Sequence, residues 1–273
     1  MPQTFAQLAA SPALGIPVWV LLALVLAAFV AGWVDSVVGG GGLIQLPALV
    51  IALPADVSTP EVLGTNKLSS VAGTLVATRT YLRKIRVPVA MVAPLVAAAF
   101  AGSAAGSSVA RFIPKELLTP IVLVAVIVVG TYTWLKPNLG RTHAERYSGW
   151  ARAWRSAVIG LVIGFYDGVL GPGTGSFFVI AIVAFLGFGF LQGTVAAKLA
   201  NLTTNIASIL VFGLHGELLW VIGGCMAVAN LAGGFLGARM AMRHGNEFIR
   251  RVFLLVIVIL GARLAWDTVS TWV

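Results

Sequence analysis

Charge is what this chain has least of. Eighteen Lys and Arg and nine Asp and Glu serve 273 residues, 10% of the total, where a soluble protein carries roughly 25%. So sparse a set cannot cover the surface of a water-soluble fold. Cysteine is scarcer still: Cys225 stands alone, which excludes an internal disulfide and a thiolate metal cluster. His143, His215 and His244 lie far apart with no ligand-like spacing, so neither a metal site nor a cofactor is expected. There is no clustered His, no reactive Cys and no Ser–His–Asp set at one depth, which argues against an enzyme. A GxxxxGK(S/T) phosphate loop is missing too, so ATP drive within this chain is excluded. The first residues hold Pro2, Pro12 and Pro17 but no Lys or Arg. They lack the charged flank of a cleaved signal peptide, and the first apolar segment is expected to be retained.

What is present is apolar length. Hydrophobic residues make up 59% of the chain and the mean hydropathy is +0.98. Apolar segments run at about 17–34, 43–54, 61–82, 88–112 and 117–136, and again at 152–170, 174–189, 191–213, 218–243 and 247–270. Many reach the 18 or so residues needed to cross a bilayer core of about 30 Å. They are continuous rather than alternating, which excludes a transmembrane β-barrel. The expected class is an all-α polytopic membrane protein. The net charge of +9 comes from basic residues in short connections, as in cytoplasmic loops, and gives no reason to expect nucleic acid.

The two series repeat each other. A shift of 131 residues superposes Lys67 on Lys198, Gly102 and Gly106 on Gly233 and Gly237, Glu116 on Glu247, and Gly130 on Gly261. One further residue brings Gly32-Trp-Val-Asp35 onto Gly164-Phe-Tyr-Asp167 and the Gly39–Gly42 run onto Gly171–Gly175. The expected organisation is a first repeat at 1–136, a polar linker at 137–151 and a second repeat at 152–273. Loop charge sets their orientation. Basic residues cluster near 83–87, around the linker and near 239–251, whereas 55–60, 187–191 and 214–217 have none. Placing the basic loops in the cytoplasm puts equivalent loops on opposite faces. Arg111 and Lys115 dissent. The result is two inverted repeats, each with a glycine-broken, short or re-entrant first helix pair followed by three transmembrane helices.

The break itself follows from length. Residues 17 to 54 would make roughly 57 Å of continuous helix, nearly twice the hydrocarbon thickness, so the chain must fold back. Glycines at 39–42 and 171–175 permit it. Two broken helices in corresponding positions are the best sequence pointer to a transporter's binding site. Helix restarts there expose N–H groups suited to an anion. The plainer reading, tight helix packing, is preferred for Gly102/Gly106 and Gly233/Gly237 but not for the denser runs.

Ionisable residues inside these segments are costly and mark function. Asp35 and Lys67 occupy the first series, Asp167 and Lys198 the second. Lys67, Ser70 and Thr74 share one helical face, and Lys198, Asn201 and Asn205 the matching one. Asn66, Thr203, Thr204 and Ser208 add polar atoms nearby. Structural pairing of Asp35 with Lys67 and of Asp167 with Lys198 is an open alternative. So is snorkelling of Lys67 to the headgroups. The face of Lys198 carries more donors, so Lys198→Gln is expected to cost more affinity than Lys67→Gln.

Gly39-Gly-Gly-Gly-Leu-Ile-Gln-Leu-Pro47, Gly64-Thr-Asn-Lys-Leu68, Gly171-Pro-Gly-Thr-Gly175 and Ala197-Lys-Leu-Ala-Asn201 resemble the TauE/SafE sulfite-exporter family over nearly the whole chain. The resemblance implies a bacterial inner-membrane secondary transporter exporting sulfite, sulfoacetate, other organosulfonates or thiosulfate. An anion channel of the same fold is the alternative. The expected substrate ligands are Lys67, Lys198, Asn66, Thr74, Asn201, Asn205 and the runs Gly40, Gly41, Gly42 and Gly173, Thr174, Gly175. Asp35 and Asp167 are expected to serve coupling or structural ion pairs. The expected partners are a small anion and the lipid bilayer, with a homodimer left open.

Overall fold

A computed structural model describes residues 16–54, 56–112 and 145–272. The apolar segment at 117–136 and most of the linker lie outside the described residues. Those described form helices α1 (Val18–Val38), α2 (Gly42–Ala52), α3 (Thr59–Leu82), α4 (Val89–Ala110), α5 (Gly149–Val169), α6 (Thr174–Ala181), α7 (Phe190–Leu214) and α8 (Trp220–Trp272). α6 runs on as a π-helical turn, Ile182–Leu186. α8 is broken at Gly245, whose φ of 71° and ψ of −162° no helix accommodates. α5 begins inside the range read as linker. α1 extends four residues beyond the expected end, carrying Asp35 within it.

Local chemistry sets the boundaries. Ser58 and Glu61 form a reciprocal capping box at the start of α3, the Ser58 N–H donating to Glu61 Oε2 at 2.8 Å. α1 stops because Gly39 turns left-handed at φ 86°. α2 has 11 residues, about 16 Å of helix, too short to cross a hydrocarbon core.

The packing turns a soluble protein inside out. Trp19, Leu22, Leu26 and Val30 of α1 are exposed, as are Val158, Leu161, Val162 and Phe165 of α5. Ser36, Thr65, Ser69, Thr74, Ser103, Thr194, Thr204 and Ser208 are buried. Such an exterior is stable against lipid tails and unstable in water. Among the described residues, four helices are long and apolar enough to cross a bilayer: α1, α4, α7 and the first part of α8 to Gly245.

The most extensive helix contacts join the N-terminal series to the C-terminal one. α1 packs on α8, and α4 packs on α5. Small residues make both crossings close. A Cβ at Gly102 or Gly106 would strike the main chain of Leu161 or Phe165 on α5, and one at Gly233 or Gly237 that of Phe29 or Trp33 on α1. These four glycines are where helix backbones touch.

Candidate functional site

The two glycine-rich turns meet. Gly39, at φ 86°, and Gly171, at φ 90°, each end a long helix. A Cβ on Gly39 would collide with the backbone of Gly175 and Ser176, and one on Gly175 would lie 2.5 Å from Gly39 Cα. Ser176 seals the contact: its N–H donates to Gly39 O at 3.1 Å and its hydroxyl to Val38 O at 2.9 Å. Glycine is required because backbone crosses backbone.

The crossing fixes the ion pairs. Lys67 Nζ lies 2.6 Å from Asp167 Oδ1, and Lys198 Nζ lies 2.8 Å from Asp35 Oδ2. The alternative pairing of Asp35 with Lys67 and Asp167 with Lys198 is not the one formed. The reason is geometric: where the turns cross, the end of α1 is brought to α7, and the end of α5 to α3. Lys67 is 2% exposed and Lys198 0%, so neither reaches a headgroup. Lys198 also donates to the main-chain oxygen of Asp35, which accepts the Gly39 N–H as well. Its ammonium thus sits on the C-terminal carbonyls of α1, where the helix dipole favours a cation. Lys67 Nζ stands similarly beside Gly171, just past the end of α5.

A narrow cavity of about 20 Å³ opens beside these pairs. Its lining comprises Asp35, Gly39, Gly42, Asn66, Lys67, Ser70, Asp167, Gly171, Gly175, Asn201 and Asn205. Among the expected ligands Asn66, Lys67, Asn201, Asn205, Gly42 and Gly175 therefore share one space. Lys198 is not among the lining residues. Neither is Thr74, whose hydroxyl donates to Ser70 O at 2.8 Å. Gly40 and Gly41 accept the first-turn bonds of α2, and Gly41 faces Ala31 and Asp35 of α1. Gly173 caps α6, and Thr174 donates to Gly171 O at 2.8 Å. Two lining groups, Asn205 Nδ2 and Asp167 Oδ2, are buried without a hydrogen-bond partner, a costly state that an acceptor relieves for the amide and a donor or proton for the carboxylate.

One important residue escapes the sequence reading of the site. Gln45 of α2 is fully buried. Its Nε2 donates to Asn66 O at 3.1 Å and to Asn66 Oδ1 at 3.0 Å, and approaches Ser70 Oγ at 3.5 Å. Its Oε1 accepts from Ser69 Oγ at 3.2 Å and from Asn230 Nδ2 at 2.9 Å. Under the repeat offset its counterpart is Phe177, so repeat symmetry does not reveal it. The signal was an amide within Leu43-Ile-Gln-Leu46, which no apolar helix buries without partners.

An apolar-surfaced helical bundle with a polar cavity beside two buried ion pairs is the architecture of a membrane protein that handles a small polar solute. The sulfite exporter TauE/SafE family model matches residues 24–264, and the chain belongs to that family. It is 36% identical over 244 residues to the probable membrane transporter protein ORF9 of Sinorhizobium sp, covering 89% of this chain and 92% of that one. It is 35% identical over 242 residues to the probable membrane transporter protein YfcA of Escherichia coli K12, covering 88% of each. A probable membrane transporter protein of Haemophilus influenzae is 33% identical over 240 residues, 88% of this chain and 92% of that one. No solved structure matches. The protein is a multi-pass bacterial membrane transporter.

Proposed function

We propose that this chain is a secondary transporter that exports small sulfur-containing anions: sulfite, sulfoacetate or other organosulfonates, or thiosulfate. Its architecture is read as two inverted repeats, 1–136 and 152–273, joined by a cytoplasmic linker at 137–151. The reciprocal packing of α1 on α8 and α4 on α5 supports that reading. So do the equivalent places of the two glycine turns.

The observation that carries the proposal is the crossed pairing beside a donor-lined cavity. A bare oxyanion leaves water only if it gains a cation and several donors. Lys67 is in the cavity wall with Asn66, Ser70, Asn201 and Asn205. An arriving anion competes with Asp167 for the Lys67 ammonium. Because Lys67 and Asp167 come from different series, weakening that pair loosens one series against the other. Binding is thereby linked to the movement that alternating access requires. The released carboxylate is the group available to take up a proton, which gives Asp167, and by the same geometry Asp35, the coupling role.

The test is efflux from proteoliposomes loaded with labelled sulfite, organosulfonates, thiosulfate, sulfate and carboxylates. Saturable flux of the sulfur anions without single-channel currents is expected. Single-channel currents would replace the transporter with a channel, and transport of carboxylates alone would reject the substrate class.

A further inference from the structure

The cavity contains amide side chains, and an amide can offer either a donor or an acceptor. The hydrogen bonds behind the wall decide which. Asn230 Nδ2 donates to Ala28 O at 3.1 Å. A main-chain carbonyl can only accept, so the Asn230 amide has one orientation. The same nitrogen donates to Gln45 Oε1 at 2.9 Å, which makes that atom the carbonyl end of Gln45. Gln45 Nε2 therefore faces Asn66, where it meets a second main-chain carbonyl, Asn66 O, at 3.1 Å. Both ends of the chain are thus anchored on groups with fixed polarity, and the two anchors agree.

We infer that Gln45 is a positioning residue that sets the polarity of the binding cavity. By donating to Asn66 Oδ1 at 3.0 Å, it holds the carbonyl end of the Asn66 amide in the wall and turns Asn66 Nδ2 to the cavity. Ser70 Oγ, 3.5 Å from the same Gln45 nitrogen, keeps its proton for the cavity side. Asn205 Nδ2, also in the lining, is buried and unpartnered. With Lys67, these N–H and O–H groups face the same small space as the Asp35 and Asp167 carboxylates, whose charge the two lysines offset. The ligand class the donors favour is a small oxyanion that takes the place of Asp167 at Lys67. The inference rests on the anion-transport reading and assigns the groups that enforce it.

The decisive variant is Gln45→Glu. A carboxylate cannot donate to Asn66, so the Asn66 amide reverses and presents its oxygen to the cavity. In proteoliposomes the KM for sulfite and for a labelled organosulfonate is expected to rise about tenfold or more, the size of one hydrogen bond to a charged group. The maximal rate should stay within about threefold. Asn66→Ala should raise KM similarly, and adding Gln45→Glu to it should cause little further rise, because Gln45 acts through Asn66. Where Gln45→Glu yields no folded protein, Gln45→Met, which frees the Asn66 amide to rotate, enters the same cycle with Asn66→Ala. An unchanged KM, a fall in maximal rate alone, or additive effects in the cycle would overturn the positioning role while leaving anion transport in place. A wild-type protein that binds none of the anions overturns both.

Discussion

Lys198 Nζ stands 2.8 Å from Asp35 Oδ2 and donates as well to the main-chain oxygen of Asp35. One ammonium therefore neutralises a carboxylate and caps the helix that carries it, in the last turn of α1 and four residues before Gly39. The carboxylate and the helix end cannot be separated from α7 independently. Removing either charge leaves the other buried, and an unpaired buried charge costs about 3–5 kcal/mol.

The crossed pairing makes a distinctive set of double variants. Asp35→Asn alone should lower stability by about 3–5 kcal/mol, and Lys198→Met with Asp35→Asn should recover most of the loss. Lys67→Met with Asp35→Asn should be worse than either single change, because it strands Asp167 and Lys198 together. Thermal unfolding of detergent-purified protein, followed by tryptophan fluorescence, reads the order. Recovery by the second double variant instead would show that the pairs form within each series.

The glycine turns should divide by what their missing Cβ would touch. Gly175→Ala places a methyl 2.5 Å from Gly39 Cα, a backbone contact that cannot yield, so folded protein should be lost. Gly41→Leu should fail likewise, since Asp35 Cβ lies 2.6 Å from the added atom. Gly224→Ala, with nothing within 4 Å, should be neutral or raise stability by up to about 1 kcal/mol. Size-exclusion profiles and melting temperatures separate these outcomes. Normal melting of Gly175→Ala would mean that the turns do not meet.

The helices were legible because apolar length is a strong signal, although the start of α3 at its Ser58 cap lies ahead of the apolar segment read at 61–82. The glycine pairs of α4 and α8 were legible as packing because their four-residue spacing keeps them on one face. The crossed ion pairs were not. A repeat gives each lysine two equivalent aspartates, and nothing in the sequence chooses between them; the choice is made where Gly39 meets Gly175. Gln45 was hidden for the opposite reason, since it breaks the repeat and is surrounded by Leu43, Ile44 and Leu46. Cavity lining was hardest of all. Lys198 and Thr74 share helical faces with lining residues, yet neighbouring groups claim their polar atoms first.

The inverted arrangement makes its own prediction. In a Cys225→Ser background, Val57→Cys and His215→Cys should react with a membrane-impermeant maleimide added outside whole cells. Gly245→Cys should react only after the cytoplasmic face is opened. Labelling of position 215 from the cytoplasmic side would reject inverted repeats and leave a parallel pair.

The two lysines should differ, and in the sense opposite to the donor count of their faces. Lys67 is in the cavity wall, close to Gly171, and shares that wall with the unpartnered Asn205 amide. Lys198 is held by two oxygens of Asp35 and lies outside the lining. A fair comparison must leave no buried charge behind, so each lysine is neutralised with its own partner. Lys67→Gln with Asp167→Asn should weaken sulfite binding by about tenfold or more, the loss of one charged contact, with a modest change in melting temperature. Lys198→Gln with Asp35→Asn should keep affinity within about threefold. It should lower the melting temperature more, because the end of α1 loses its cap. Binding is measured by titration of the purified protein and stability by thermal melting of the same samples. Equal losses of affinity would make both ammonium groups ligands. Loss confined to the Lys198 pair would move the anion to the other side of the crossing, beside Asp35 and α7.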